Sequence, residues 1–385
     1  MLRMIAVLLI LAGSVGCSPN STSTETFQTG AERLAEQKLE PLAGQQVGII
    51  ANHTARIDTA HLVDVVDRAQ NVELTAIFGP EHGLRGEAAA GEEVDDGIDQ
   101  ATGTPIYSLY GKHRKPTPAM LENVEVLVFD IQDIGARFYT YISTMGLSMQ
   151  AAAEQGIPFV VLDRPNPLGG TYVSGYIRDS TYRSFVGLYP IPIAHGMTVG
   201  ELAQMIKGEG WLDGLQDLDL RVISMKGWKR SDRWPRPADA WIAPSPNIPD
   251  LETAFVYPGA AFFEGTTISE GRGTHHPFKY IGAPWAAGDS LAQTLEARNL
   301  PGVTFDPVTF TPESIPGMDP SPKLEGRQLS GIQQSVTDPE AFQPVETGVH
   351  VLHAFYRQAP RNGENPFFRS DWLANLAGTE QLERM

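Results

Sequence analysis

Val72-Glu73-Leu74-Thr75-Ala76-Ile77-Phe78-Gly79-Pro80-Glu81-His82-Gly83 is an apolar run that stops abruptly in an acidic turn framed by glycine and proline. Three more runs of this kind flank it, at residues 47–51, 124–129 and 157–162. Between them lie helical patterns at 59–69 and 139–155, the second ending at Gly156. Continuous apolar runs of this length, separated by helices, predict parallel strands buried on both faces. Right-handed crossovers between such strands give an open α/β sheet, doubly wound and Rossmann-like. The stretch 84–118 is rich in glycine and charge and breaks the alternation. It is long for a simple connection, which makes it a candidate functional loop.

Beyond residue 185 prolines become frequent and the strand–helix alternation weakens. Helices are expected at 198–207, 289–298, 347–357 and 371–377, several opening on a capping or acidic first turn. The reading is a Rossmann-like domain over 40–184 followed by an α+β domain over 185–385.

The N-terminus is of a different kind. Arg3 precedes the apolar run 5–12, and small residues lead from Gly13 to Cys17. That is a secretory signal pattern, with an apolar stretch too short to span a bilayer. Cys17, the single cysteine of the chain, stands where a lipoprotein signal places its lipidated cysteine. Residues 1–17 are therefore expected to be a signal segment, with a membrane anchor at Cys17, and 18–39 a polar tether. A periplasmic or cell-envelope location follows. The formal charge of −17 argues against nucleic acid as a partner, although it leaves an anionic small substrate open. One cysteine allows no internal disulfide.

Each apolar run ends in polar residues: Asn52-His53-Thr54, then Glu81-His82 with Arg85. The third gives Asp130-Ile131-Gln132-Asp133 with Arg137, and the fourth Asp163-Arg164-Pro165-Asn166. Ligands of open parallel sheets bind at the carboxyl ends of the strands, so these four clusters outline a site. Its chemistry follows partly by exclusion. No Gly-x-Gly-x-x-Gly follows the first strand and no Walker sequence occurs, so no cofactor is expected. There is no Gly-x-Ser-x-Gly elbow and no thiol outside the export signal. The histidines lack metal-binding spacing, so no metal is expected either.

Carboxylates beside Arg, Asn and aromatic side chains remain, which is the material of glycoside hydrolysis. Glu81, on a stiff turn after a buried strand, is the candidate general acid, with His82 beside it. Asp130 and Asp133 could supply the second carboxylate, with Arg137 as their partner. The later half adds Asn247 in a proline-stiffened loop, and Glu264, Glu270 and Arg272 on a glycine-rich one. Glu264 competes with Asp130 and Asp133 for the second catalytic place.

Residues 79–86, 129–141, 162–170, 245–249 and 264–274 together resemble the exo-β-N-acetylmuramidases of the NamZ type, across nearly all the chain after residue 40. Thr267 and His275-His276 depart from that pattern. The resemblance implies two domains with a cleft between them. It also implies release of N-acetylmuramic acid from the non-reducing ends of peptidoglycan fragments, with Glu81 as the catalytic glutamate. An arginine fork should meet the lactyl carboxylate of that sugar, from Arg85, Arg137, Arg164 or Arg272. Asn52, Gln132, Tyr139, Asp163, Asn166, Asn247 and Glu270 complete the expected substrate contacts. The alternative is an envelope lipoprotein that binds muropeptides without cleaving them.

Overall fold

The four apolar runs are strands in the computed structural model of the chain, which describes residues 26–85, 92, 95–237, 240–360 and 367–384. They are β1 (Gln46–Ala51), β2 (Glu73–Gly79), β5 (Val126–Asp130) and β6 (Phe159–Leu162). Three further strands extend the sheet: β3 (Gly97–Ile98), β4 (Pro105–Ser108) and β7 (Leu220–Ile223). The order is β3-β4-β2-β1-β5-β6-β7, parallel throughout except for the short edge strand β3. The chain winds outward from β1 to one edge, returns, and winds outward through β5 to the other. That makes the β1/β5 junction the topological switch point.

Alternation along each strand divides the core in two. Val47, Ile49, Val126, Val128, Val160 and Leu162 pack on one face with Leu34 of α1 (Gly30–Glu36) and Val63 of α2 (Leu62–Asp67). Leu127, Phe129, Phe159 and Val161 face the other way, toward α3 (Tyr141–Gln155) and α4 (Val199–Gly208). Period-two side-chain placement on a sheet covered on both faces explains why these strands read as unbroken apolar runs. Gly156, left-handed at φ 68°, ends α3 where the sequence expected it.

Three elements depart from expectation. The tether expected over 18–39 includes α1, opened by a Thr29/Glu32 capping box, with Ala31 and Leu34 fully buried. Gly30 lets it seat, since a Cβ there would lie 2.4 Å from Ile223 O. The loop 84–118 contains β3 and β4, too short and polar to stand out as apolar runs. The division at 184/185 falls between β6 and β7, so the sheet takes its last strand from the later half. β7 reads Leu-Arg-Val-Ile and is only half buried, which hid it.

After β7 the chain builds α5 (Leu251–Ala260), α6 (Gly288–Glu296), α7 (Pro344–Gln358) and α8 (Ser370–Ala377) around an antiparallel sheet. Its strands β8 (Tyr280–Ala283), β9 (Val303–Phe310) and β10 (Leu329–Val336) lie in the order β8-β10-β9. Helices α5 and α7 cross at Gly259 and Gly348, where a Cβ on Gly348 would come within 2.4 Å of Gly259 Cα. One hydrophobic cluster runs from Phe129 and Met145 in the first domain to Phe263 and Phe355 in the second. The two domains therefore share a core. Cys17 and Gly86 lie outside the described residues, and no described helix is long and apolar enough to cross a membrane.

Candidate active site

The turn after β2 holds Glu81 in the lining of a cavity of about 250 Å³ between the two domains. Gly83 N donates to Pro80 O at 2.9 Å, closing the turn. His82 adopts φ 71°, a left-handed conformation that costs a non-glycine residue of order 1 kcal/mol. Thr140, the cap of α3, donates from Oγ1 to Glu81 Oε2 at 2.8 Å. Tyr110, from the loop after β4, also hydrogen-bonds Glu81. Burial and the neighbouring carboxylate push its phenol up to about 12, so at neutral pH it is a donor.

The opposite wall belongs to the second domain. Arg272 Nη2 lies 3.0 Å from Glu264 Oε1, and Arg272 Nε lies 3.7 Å from Glu270 Oε1. Lys323 Nζ pairs with Glu270 Oε2 at 2.6 Å, behind this arginine. Burial raises the Glu264 carboxyl above its ordinary range; Arg272 opposes that rise, while Glu270 and Glu81 reinforce it. Arg272 is held charged, because Glu264 and Glu270 outweigh its desolvation. Its guanidinium sits 5.3 Å over the Phe278 ring. Tyr257 meets Phe138, Tyr139 and Phe278 edge to face, forming the apolar floor. Asn247 donates from Nδ2 to Met318 O at 2.9 Å, which leaves Oδ1 buried with no hydrogen-bond partner among the described residues. A buried acceptor left open in a cavity wall is a place for a ligand donor.

Of the expected site residues, Glu81, His82, Tyr139, Asn247, Glu264 and Arg272 line this cavity. The others are not among its lining residues. Asp130, fully buried, is forked by Arg164 from Nε at 2.5 Å and Nη2 at 2.8 Å. Asp133 accepts from Gly135 N at 2.7 Å and faces His195 at 3.5 Å. Asp130 is thus committed to the switch point, whereas Asp133 keeps Oδ1 buried with no hydrogen-bond partner among the described residues, and neither carboxylate lines the cavity. Arg137 is fully buried and donates to the carbonyls of Tyr176, Ile191 and Leu376, and burial lowers it to about 10. Arg85 pairs with Asp99 and Asp64 instead.

Asn52 Oδ1 accepts from Thr54 N and Oγ1, while its Nδ2 reaches Pro244 O at 3.4 Å. It braces the loop carrying Asn247, as do His53 and Tyr141 through the carbonyls of Ala243 and Pro244. Gln132 ties Thr54, Asp133 and Pro165 together. Asp163 holds the start of α4, and Asn166 bonds Met197 O and Leu168 N. Glu270 stands behind Arg272. These residues form the frame under the site. Tyr110, Thr140, Ser245 and Tyr257 line the cavity and were not anticipated. Tyr110 falls within the loop singled out as functional, and Thr140 and Ser245 fall within the stretches 129–141 and 245–249; Tyr257 alone of the four comes from a segment with no such signal. Among the described residues no three His, Cys, Asp or Glu side chains are grouped to hold a metal.

Glu81 from the first domain and Glu264 from the second line one small aromatic cavity, a layout that suits a carbohydrate-active hydrolase. Comparison makes the family specific. The chain matches the N-terminal domain of "Exo-beta-N-acetylmuramidase NamZ" over residues 47–252 and its C-terminal domain over 255–385, and it belongs to that family. It is 45% identical over 379 residues to the "Peptidoglycan beta-N-acetylmuramidase NamZ" of Bacillus subtilis (strain 168), covering 98% of this chain and 88% of that protein. Two crystal structures of DUF1343 family proteins from Bacteroides fragilis NCTC 9343 are also similar. One has a TM-score of 0.82 at 37% identity, over 93% of this chain and 90% of that one. The other has 0.74 at 34%, over 94% and 90%.

Proposed function

We infer that this chain is an exo-acting β-N-acetylmuramidase, a glycoside hydrolase that releases N-acetylmuramic acid from the non-reducing ends of peptidoglycan fragments. The observation that carries the site assignment is that Glu81, Glu264 and Arg272 share one cavity. Glu81 gives its proton to the glycosidic oxygen as the bond to the leaving sugar breaks, and water adds at the anomeric carbon while giving up a proton to the second carboxylate. Tyr110 and Thr140 hold the Glu81 carboxyl in place. Glu264 is the second carboxylate, because it lines the cavity with Glu81 whereas Asp130 and Asp133 do not. Arg272 alone of the four candidate arginines lines the cavity, which supports it as the fork for the lactyl carboxylate. Asn247 Oδ1 offers an acceptor for the acetamido N–H.

The experiment is incubation of the purified protein with N-acetylmuramyl-N-acetylglucosamine, following free N-acetylmuramic acid with time. Binding of the disaccharide without release would sink the hydrolase reading in favour of a binding protein. We further propose export and lipid anchoring at Cys17, supported by Arg3, the apolar run 5–12 and the small residues before the cysteine. Cys17→Ser should move the protein from the membrane to the soluble fraction; an unchanged distribution would overturn the anchor.

A further inference from the structure

A second cavity, of about 300 Å³, opens at the carboxyl ends of β1, β5 and β6, over the switch point. Thr54, Arg56, Gln132 and Arg164 form its base, and Trp234 and Trp241 one side. We propose that it is a second saccharide site, which takes a neutral sugar ring farther along the glycan whose end lies at Glu81. The proposal rests on the muramidase reading of that first cavity.

Charge decides the ligand class. A crevice at a switch point ordinarily suits a phosphate-bearing ligand. Here each cation is already answered. Arg164 is forked on Asp130, and Arg236 donates to both oxygens of Glu32 at 2.7 and 2.6 Å. Arg56 spends Nε and Nη1 on the carbonyls of His53 and Thr59, and it shares the lining with Asp58. Two of the three guanidinium groups are paired with carboxylates, and the third stands on backbone carbonyls in a lining it shares with Asp58. By count three carboxylates balance three cations and leave little excess charge for a phosphate. Polar groups arranged in fixed pairs suit hydroxyls instead.

The tryptophans supply the other half of sugar recognition. Their indole N–H groups are occupied, Trp234 on Pro237 O and Trp241 on Ile248 O, both at 3.3 Å. The rings meet edge to face with centroids 4.9 Å apart and are only partly buried. They present an apolar surface to the cavity, as the C–H face of a pyranose requires. Ile242, 38% exposed, extends that surface at the rim.

The two cavities are lined by neighbouring parts of one chain segment. Trp241 and Ile242 line this one, while Ser245, Asn247 and Ile248 line that of Glu81. Ile242 and Ser245 are three residues apart, at most roughly 10 Å of extended chain. A glycan leaving the first cavity over this loop reaches the second.

The test uses peptide-free glycans of two, four and six sugars, each with N-acetylmuramic acid at the non-reducing end. In the wild type, kcat/KM should rise about ten-fold from the disaccharide to the longer chains, the size of one good aromatic contact. Trp234→Ala and Ile242→Asp should abolish the rise while leaving disaccharide turnover within about two-fold. Ile242→Asp, at an exposed position, carries the test if Trp234→Ala does not fold. No gain with length in the wild type, or a full gain in both variants, overturns the second site. If no chain releases sugar, the Glu81 reading has failed. Calorimetric titration with the tetrasaccharide then decides the second site alone: it should bind the wild type and be weakened about ten-fold by either variant, and equal binding overturns it.

Discussion

Thr140 Oγ1 donates a 2.8 Å hydrogen bond to Glu81 Oε2, tying the cap of α3 to the turn that follows β2. These strand ends flank β1 in the sheet, so the bond fixes the carboxyl relative to the switch point. Glu81→Gln keeps the shape and removes the proton. It should lower kcat by about 10³-fold, within the range of general acid catalysis, without moving the thermal midpoint. Turnover within ten-fold of wild type would remove Glu81 from the role of acid. Thr140→Val should cost about ten-fold in kcat with KM nearly unchanged, and Thr140→Ser should restore it.

Arg272 sits between two carboxylates, so deleting its charge would confound binding with stability. Arg272→Lys keeps the charge and loses the fork. Inhibition by free N-acetylmuramic acid should weaken by about ten-fold or more, whereas inhibition by N-acetylglucosamine, which lacks the lactyl group, should barely change. Equal losses for both sugars would take the lactyl carboxylate away from Arg272.

Asp130 and Arg164 form a buried fork between the ends of β5 and β6. Removing one partner strands the other away from water, at a cost of about 3–5 kcal/mol. Asp130→Asn and Arg164→Met should each lower the urea midpoint sharply, and a double-mutant cycle should give strong coupling. Folded Asp130→Asn protein should still release N-acetylmuramic acid. A variant of wild-type stability without turnover would return Asp130 to the catalytic list.

These residues show how far the sequence could be read. Glu81 was legible because a long apolar run ends on it, and a run buried on both faces leaves its last polar residue at the carboxyl edge. Asp130 follows an equal run, yet its side chain meets Arg164 from the next strand. The pattern places a residue at the edge without saying which neighbour will claim it. Arg137 lies between Ala136 and Phe138, and those apolar neighbours were the sign of a buried bracket rather than a ligand contact. Tyr257 became a site residue through the packing of two domains, and Thr140 through the meeting of two strand ends in the first, neither of which local spacing encodes. β7 stayed hidden because an edge strand with one open face lacks the signature of its buried neighbours.

Asp163 offers a test by pH. It accepts hydrogen bonds from Gly200 N, Arg164 N and Thr198 Oγ1, yet burial outweighs them and lifts its carboxyl to about 6. In the unfolded chain an aspartate titrates near ~3.9, so the folded state holds the proton more tightly. Between about pH 4 and pH 6 folding therefore takes up a proton, and this contribution falls as pH rises. It is fully present below about pH 4 and lost above about pH 6, a span of about 3 kcal/mol. Asp163→Asn is neutral throughout and loses one acceptor at every pH, which shifts its baseline by a constant. Stability of the variant minus that of the wild type should thus rise from pH 4 to pH 6 and level off beyond. Urea unfolding at half-unit pH steps measures this, and a difference independent of pH would show that Asp163 titrates alike in the folded and unfolded chain.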